Sequence, residues 1–285
     1  MMEADVPIPP AIPSHWPTDW TVDPHWFEDD AFWEAVRPAL FEPRRWDDAE
    51  AEVVQALALL GVAPPDRILD LACGPGRHLI PLAEFGYRAT GVDRTAKFLN
   101  EARERARARD LHIQTTRADM RSLGSEDVKT AVLAGTDDDG SPFDGAIWLD
   151  SSIGYSPRAT DDLDALRAVR DLLRPGARLV VETLGLECVQ TGIVVPDGAP
   201  EEVEIQAVDG RPWLLQRRIT DDHWMEVRWG PTDGHPLAYR HRLYREPDLY
   251  DMLREVDMCN ILTFGELDGS PYGPAASTLI AVAER

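Results

Sequence analysis

The chain has 285 residues, 44% of them hydrophobic, and sets 51 acidic against 29 basic side chains for a formal net charge of -22. Such a surface repels phosphate backbones and anionic lipid headgroups, which excludes nucleic acid and membrane as expected partners and leaves a small-molecule substrate. Cys73, Cys188 and Cys259 are odd in number and outside any C-x-x-C spacing, so a disulfide framework and a structural zinc site are excluded too and a reducing, cytoplasmic setting is expected.

Residues 1–45 read as an arm, because eight prolines precede Trp46 and interrupt any long element. No apolar run of signal or membrane-spanning length appears there or later, so neither export nor insertion is expected. A short helix is predicted over 29–40. Trp16, Trp20, Trp26 and Trp33 leave two readings open: an aromatic lid facing a cation, or packing against the core. The core is expected over 46–183, opening with a helix at 47–60 that Gly61 and Pro64-Pro65 stop. Strands at 67–71, 87–92, 112–116, 145–149 and 177–182 then alternate with helices at 77–84, 95–109 and 160–173. Repeated strand-helix units imply an α/β fold with a parallel, doubly wound sheet. The acidic run at 137–140 reads as a loop.

Over 184–245 the pattern changes to four strand-like runs separated by Asp209-Gly210, Asp221-Asp222 and Asp233-Gly234, an antiparallel β insertion. Such strands suit either a homodimer contact or a solvent-covered lid. Residues 246–285 supply a last helix at 247–256 and a strand pair at 260–264 and 278–283.

The strongest local signal is Ile68-Leu69-Asp70-Leu71-Ala72-Cys73-Gly74-Pro75-Gly76-Arg77-His78, an apolar strand running into a glycine turn that opens a helix. Glycines let the backbone approach a ligand at the carboxyl end of a strand, where open α/β sheets bind theirs. A dinucleotide fingerprint needs a third glycine where Leu79 stands, and a phosphate-binding P-loop needs a lysine that is missing.

Five segments in order resemble the seven-strand, class I S-adenosyl-L-methionine (SAM)-dependent methyltransferases, in particular bacterial members acting on small molecules. Asp70, Gly74 and Gly76 meet the first motif, D-x-x-x-G-x-G. Asp93 with Arg94 ends the second strand, Ala118-Asp119-Met120 follows the third, Phe143 to Asp150 is the fourth, and Leu172 to Leu179 is the turn before the fifth. The resemblance implies a Rossmann-like, mostly parallel seven-stranded sheet ending in an antiparallel hairpin, with SAM as cofactor. By the same resemblance Asp70 holds the amino group of SAM directly or through water, Cys73 and Gly74 give backbone contacts, and Gly76 completes the turn. Asp93, beside Arg94, takes the ribose hydroxyls; Asp119 takes the adenine amino group, with Met120 against the ring; and Leu149 lies under the transferred methyl.

A sulfonium is already a strong electrophile, so the enzyme need only align, desolvate and, for some acceptors, remove a proton, and no universal catalytic residue is expected. Asp150, Ser152 and Tyr155 leave the fourth strand where they can orient a nucleophile; the alternative is that Asp150 and Ser151 cap a turn while Tyr155 packs. His241 is a candidate base for the substrate. Arg45, with Arg44, is placed to bind a carboxylate of cofactor or substrate. No histidine pair or local acidic set suggests a metal. The motifs do not separate methyl transfer from intramolecular cyclisation of SAM that releases methylthioadenosine. A nicotinamide oxidoreductase and a non-catalytic SAM-binding role also stay open.

Overall fold

The computed structural model describes residues 11–134, 141–192 and 202–285; the first ten residues and the acidic run at 137–140 lie outside these. Helix α1 (Asp30–Leu40) starts where the Asp29 side chain accepts the Ala31 N–H, satisfying one of the donors a helix start leaves unpaired. Helix α2 (Pro43–Leu60) opens on a proline and stops at Gly61, which adopts φ 70°. Then follow β1 (Arg67–Leu71), α3 (Leu79–Glu84), β2 (Arg88–Asp93), α4 (Ala96–Arg107), β3 (Gln114–Arg117), α5 (Glu126–Ala134), β4 (Phe143–Trp148), α6 (Ala159–Leu172), β5 (Leu173–Thr183) and α7 (Leu186–Gly192). Strands β6 (Glu202–Val208), β7 (Arg211–Ile219), β8 (Trp224–Pro231) and β9 (Leu237–Arg242) precede α8 (Glu246–Glu255), β10 (Cys259–Phe264) and β11 (Leu279–Glu284).

The chain divides into two compact units. One holds Pro43–Val189 with Leu243–Arg285, the other Met1–Glu42 with Gln190–Arg242, so the arm and most of the antiparallel segment fall in the same unit. In the larger unit a seven-stranded sheet runs β10-β11-β5-β4-β1-β2-β3. The pairs from β3 to β5 are parallel, while β11 is antiparallel to both β5 and β10. Strand order reverses between β1 and β4, the position where sheets of this class open a ligand crevice at their carboxyl ends.

Both faces of this sheet are covered, which is why β1 is buried at all five positions, Arg67 and Asp70 among them. Leu69, Leu71, Trp148 and Val181 face a cluster with Leu166 and Val169 of α6 and Leu249 and Leu253 of α8. Ile68, Ile147 and Val180 face another with Val53, Ala56 and Leu60 of α2 and Leu79 and Leu82 of α3. Expected elements recur with shifted ends, and α5 and α7 are additions. Only Val132 of α5 is buried, too thin a stripe to signal a helix. The Pro175-Gly176 turn lies inside β5, where the register against β4 slips between Leu173 and Arg178.

The smaller unit is a four-stranded antiparallel sheet, β6-β7-β8-β9, with arm residues packed on it. Trp26 donates its indole N–H to the Arg240 carbonyl at 3.1 Å and lies 5.3 Å from the Tyr239 ring. Trp20 does meet cations, but they are Arg218 and Arg228 of the same unit, 4.5 and 4.1 Å from the ring centre.

Gly91, in the middle of β2, makes room for the turn that follows β1: a Cβ there would stand 2.6 Å from Cys73 Sγ and 2.8 Å from Leu79 Cδ2. Gly91→Ala should lower stability by about 1–3 kcal/mol, the usual cost of overpacking, measured by urea unfolding. Cys73→Ala added to that variant should restore part of the loss, whereas an additive double variant would show that the two side chains do not collide.

Candidate active site

The chain leaves β1 through Ala72, Gly74 and Gly76, all at positive φ (56°, 52° and 89°), a conformation costly for Ala72 and easy for glycine. The end of β2 clasps this turn. Cys73 N–H donates to the Val92 carbonyl at 3.1 Å and Gly74 N–H to Asp93 Oδ2 at 2.9 Å, while Asp93 Oδ1 accepts the Thr95 N–H at 2.7 Å. Burial raises the Asp93 carboxyl despite the N–H groups of Thr95 and Gly74 that favour its ionised form. A Cβ on Gly76 would lie 3.0 Å from Ala102 Cβ of α4, so the turn packs as tightly on that helix as a glycine permits.

Asp70 is fully buried near the end of β1, and its Oδ2 has no hydrogen-bond partner. A buried acceptor left in that state costs free energy, and natural folds keep few of them without a reason. Burial first, then the negative charges of Asp150 and Asp93, push its carboxyl well up, with Arg77 opposing. An amino group arriving here from a ligand would find a fixed, unsatisfied acceptor, which is what the amino end of SAM requires.

Beside Asp70 lies a knot of charges that the motifs did not disclose. Arg77, buried to 3% exposure, donates Nη2 to Asp150 Oδ1 at 2.7 Å, Nε to Asp150 Oδ2 at 3.2 Å and Nη1 to the Arg45 carbonyl at 2.9 Å, and also to Glu52 of α2. Glu52 in addition accepts the His78 Nε2–H at 2.9 Å. Burial pushes the Glu52 carboxyl up, but the His78 hydrogen bond and the Arg77 charge outweigh it and hold it low. Asp150 is held down to about 2: burial works against its ionisation, and His78, Arg45 and Arg77 prevail. Asp150 and Ser151 both take positive φ (61° and 52°), strain of the kind that gathers at functional sites. The Asp150 N–H donates to Glu182 Oε2 of β5 at 2.9 Å.

Several expected site residues meet other partners. Arg45 Nη2 donates to Asp150 Oδ1 at 2.5 Å, so its guanidinium already has a carboxylate within the chain. Asp150, expected to orient a nucleophile or accept its proton, is bonded by Arg45 and Arg77, whose charges help hold its carboxyl low. Ser152 is buried and accepts the Trp148 indole N–H at 2.6 Å. Tyr155 is half-buried. Asp119 is gripped by Arg121 through Nε and Nη2 at 2.9 and 2.7 Å, with Arg94 at 3.9 Å; those bonds outweigh burial and hold its carboxyl low. Met120 is partly buried against the α6 side of the sheet, and Leu149 is buried on the α2 side. His241 is buried in the smaller unit, on β9 opposite Met225 of β8. Among the described residues no group of three His, Cys, Asp or Glu could hold a metal ion, and no helix is long and apolar enough to cross a membrane.

Arg77, His78, Glu52 and Glu182 were missed as site residues. Arg77 and His78 close the glycine-turn segment and Glu182 ends the run Leu179-Val180-Val181, whereas Glu52 left no signal. Arg77→Met should cost about 3 kcal/mol, because two carboxylates lose their buried counter-charge. Asp150 titrates below its ordinary 3.8 in the folded state, so its stabilising contribution is present above about pH 4 and is lost as pH falls towards about 2. Acid unfolding curves should show that wild-type loss and a shallower one in Arg77→Met; superimposable curves would deny the clamp.

A family model described as a methyltransferase domain matches residues 68–176. The fold is similar to an S-adenosylmethionine-dependent methyltransferase from Clostridium acetobutylicum, with a TM-score of 0.66 at 16% identity over 91% of this chain and 98% of that one. It is also similar to SAM-bound CalS10, an amino pentose methyltransferase from Micromonospora echinaspora, with a TM-score of 0.60 at 19% identity over 90% and 97% of the two chains. In sequence, 84 residues are 38% identical to the 23S rRNA (uracil(1939)-C(5))-methyltransferase RlmD of Shewanella baltica, a match to 30% of this chain and only 19% of that protein. Residues 68–176 thus match a methyltransferase domain, on a fold similar to that of SAM-dependent methyltransferases.

Proposed function

We propose that the protein transfers the methyl group of SAM to a small-molecule acceptor at the carboxyl ends of β1, β4 and β5. The observation that carries this reading is the buried, unpartnered Oδ2 of Asp70 beside a glycine turn. Bound there, SAM supplies an electrophilic methyl, and the protein's part is to bind, orient and exclude water. Asp70 receives the amino group, and Cys73 and Gly74 offer backbone contacts. Asp93, clasped to the turn, retains acceptor capacity for a ribose hydroxyl, since a carboxylate accepts about four hydrogen bonds. Asp119, with Arg94 nearby, and Met120 serve the adenine, and Leu149 forms an apolar floor. Arg45 and Asp150 act by fixing the wall around Arg77 rather than by contacting the donor.

The similar whole-chain folds include an enzyme of amino pentose methylation, which supports a small acceptor. The relation to an rRNA enzyme reaches only a fifth of its length, and a net charge of -22 opposes phosphate backbones. Three free cysteines, two of them buried, suit a reducing cytoplasm.

Burial raises the Asp70 carboxyl in the free protein and a bound ammonium favours its ionised form, so SAM binding should be coupled to proton release. Calorimetry in buffers of different ionisation enthalpy should detect that release. Asp70→Asn should abolish it and weaken SAM binding on the order of 10–100-fold, the worth of one charged hydrogen bond. Chromatography of the turnover product should give S-adenosylhomocysteine; methylthioadenosine alone would reject methyl transfer in favour of cyclisation.

A further inference from the structure

Glu182 belongs to none of the cofactor motifs, yet it stands at the carboxyl end of β5 beside the turn that follows β4. Ile147 pairs with Asp70 on one side and Val180 on the other. Leu149 and Glu182, two residues further along, therefore share the sheet face of Asp70. Glu182 accepts the Asp150 N–H at 2.9 Å, while the nearby Thr278 hydroxyl donates to the Thr183 carbonyl at 2.8 Å, which leaves much of the Glu182 acceptor capacity unused.

Charge decides what such a group can receive. Around the ends of these strands stand Glu52, Asp70, Asp93, Asp150 and Glu182, against the guanidiniums of Arg45 and Arg77 and the imidazole of His78. SAM brings an ammonium that Asp70 receives, while Arg45, Arg77 and His78 are bonded to Asp150 and Glu52, so Glu182 is left without a bonded cation among the described residues. An acceptor bearing a cationic amine complements that carboxylate; a neutral alcohol does not.

We propose that Glu182 anchors the ammonium of an amine acceptor and takes its proton, which makes the reaction an N-methylation. This rests on the methyl-transfer reading above. A protonated amine has no lone pair to attack with. One N–H bond breaks and the proton passes to a carboxylate oxygen of Glu182. The freed pair forms the N–C bond as the C–S bond breaks, and the electrons of that bond stay on sulfur. The product leaves as a methylated ammonium, and Glu182 returns its proton to water. Burial, with Asp150 and then Glu52 adding to it, raises the Glu182 carboxyl to about 7, where proton exchange near neutrality is easiest. The groups facing it are Asp150 after β4, Glu52 of α2 and Thr278 ahead of β11, while Arg45, Arg77 and His78 are held by the first two.

The test uses the intact protein saturated with S-adenosylhomocysteine, titrated calorimetrically with cyclohexylamine and with its neutral isostere cyclohexanol. The wild type should bind the amine at least tenfold more tightly than the alcohol, with affinity for the amine rising between pH 6 and pH 8 as Glu182 ionises. Glu182→Gln, near-isosteric and still able to accept the Asp150 N–H, should lose both the preference and the pH dependence while keeping its melting temperature and its affinity for the cofactor product. Equal binding of the two probes by the wild type, or a preference that survives in Glu182→Gln, would overturn the assignment. Failure to load S-adenosylhomocysteine at all would instead sink the parent reading, and is seen before any probe is added.

Discussion

The guanidinium of Arg77 is buried where α2, the glycine turn and the end of β4 meet, and the shape of the site follows from what it binds. Removing such an ion from water costs several kcal/mol, recovered only when its donors are well placed. Here they are: the Nε and Nη2 edge grips Asp150 side-on, and Nη1 reaches Glu52 and the Arg45 carbonyl. The arrangement ties an α2 side chain, the residue after Gly76 and the strained residues after β4 into one body. Asp150 in turn directs its backbone N–H at Glu182, so the same guanidinium fixes the far side of the crevice.

With its walls fixed in this way, the crevice can keep an acceptor unsatisfied. Asp70 cannot swing out to water, because its strand is paired on both sides and buried on both faces. In the proposed reading its unpartnered oxygen is a local instability that a ligand amino group would remove, the way pre-organisation turns folding energy into affinity. The two raised carboxyls differ in kind: Asp70 is fully buried with an oxygen lacking any partner, whereas Glu182 is partly exposed and already accepts the Asp150 N–H. The first suits permanent capture of a cation, the second repeated exchange of a proton.

Much of this was legible in the sequence because the physical constraints are local. An apolar run around Asp70 followed by glycines has few alternatives to a strand and a tight turn, and the alternation of strands and helices implied the parallel, doubly wound sheet. The site's chemistry was less legible. Asp150 and Ser152 stand where a substrate contact was expected, yet their side chains are taken by Arg77 and by Trp148, partners 73 and 4 residues away. Spacing along the chain cannot say which of two facing groups a carboxylate will choose. Glu52 shows the same limit: within α2 it looks like one more polar position, and only the packing of α2 on the sheet brings it to Arg77. The tryptophans of the arm were open to two readings, a lid facing a cation or packing on the core, and the partners of Trp20 are arginines of its own unit.

The account stands on Asp70 as the receptor of the cofactor's amino group. A crystal structure of the complex with S-adenosylhomocysteine measures that directly. It should show the ligand's amino nitrogen within hydrogen-bonding distance of Asp70 Oδ2, directly or through one ordered water, with the Arg77 contacts to Asp150 and Glu52 unchanged. A ligand bound elsewhere, or one bound here with that oxygen still lacking any partner, would contradict the account.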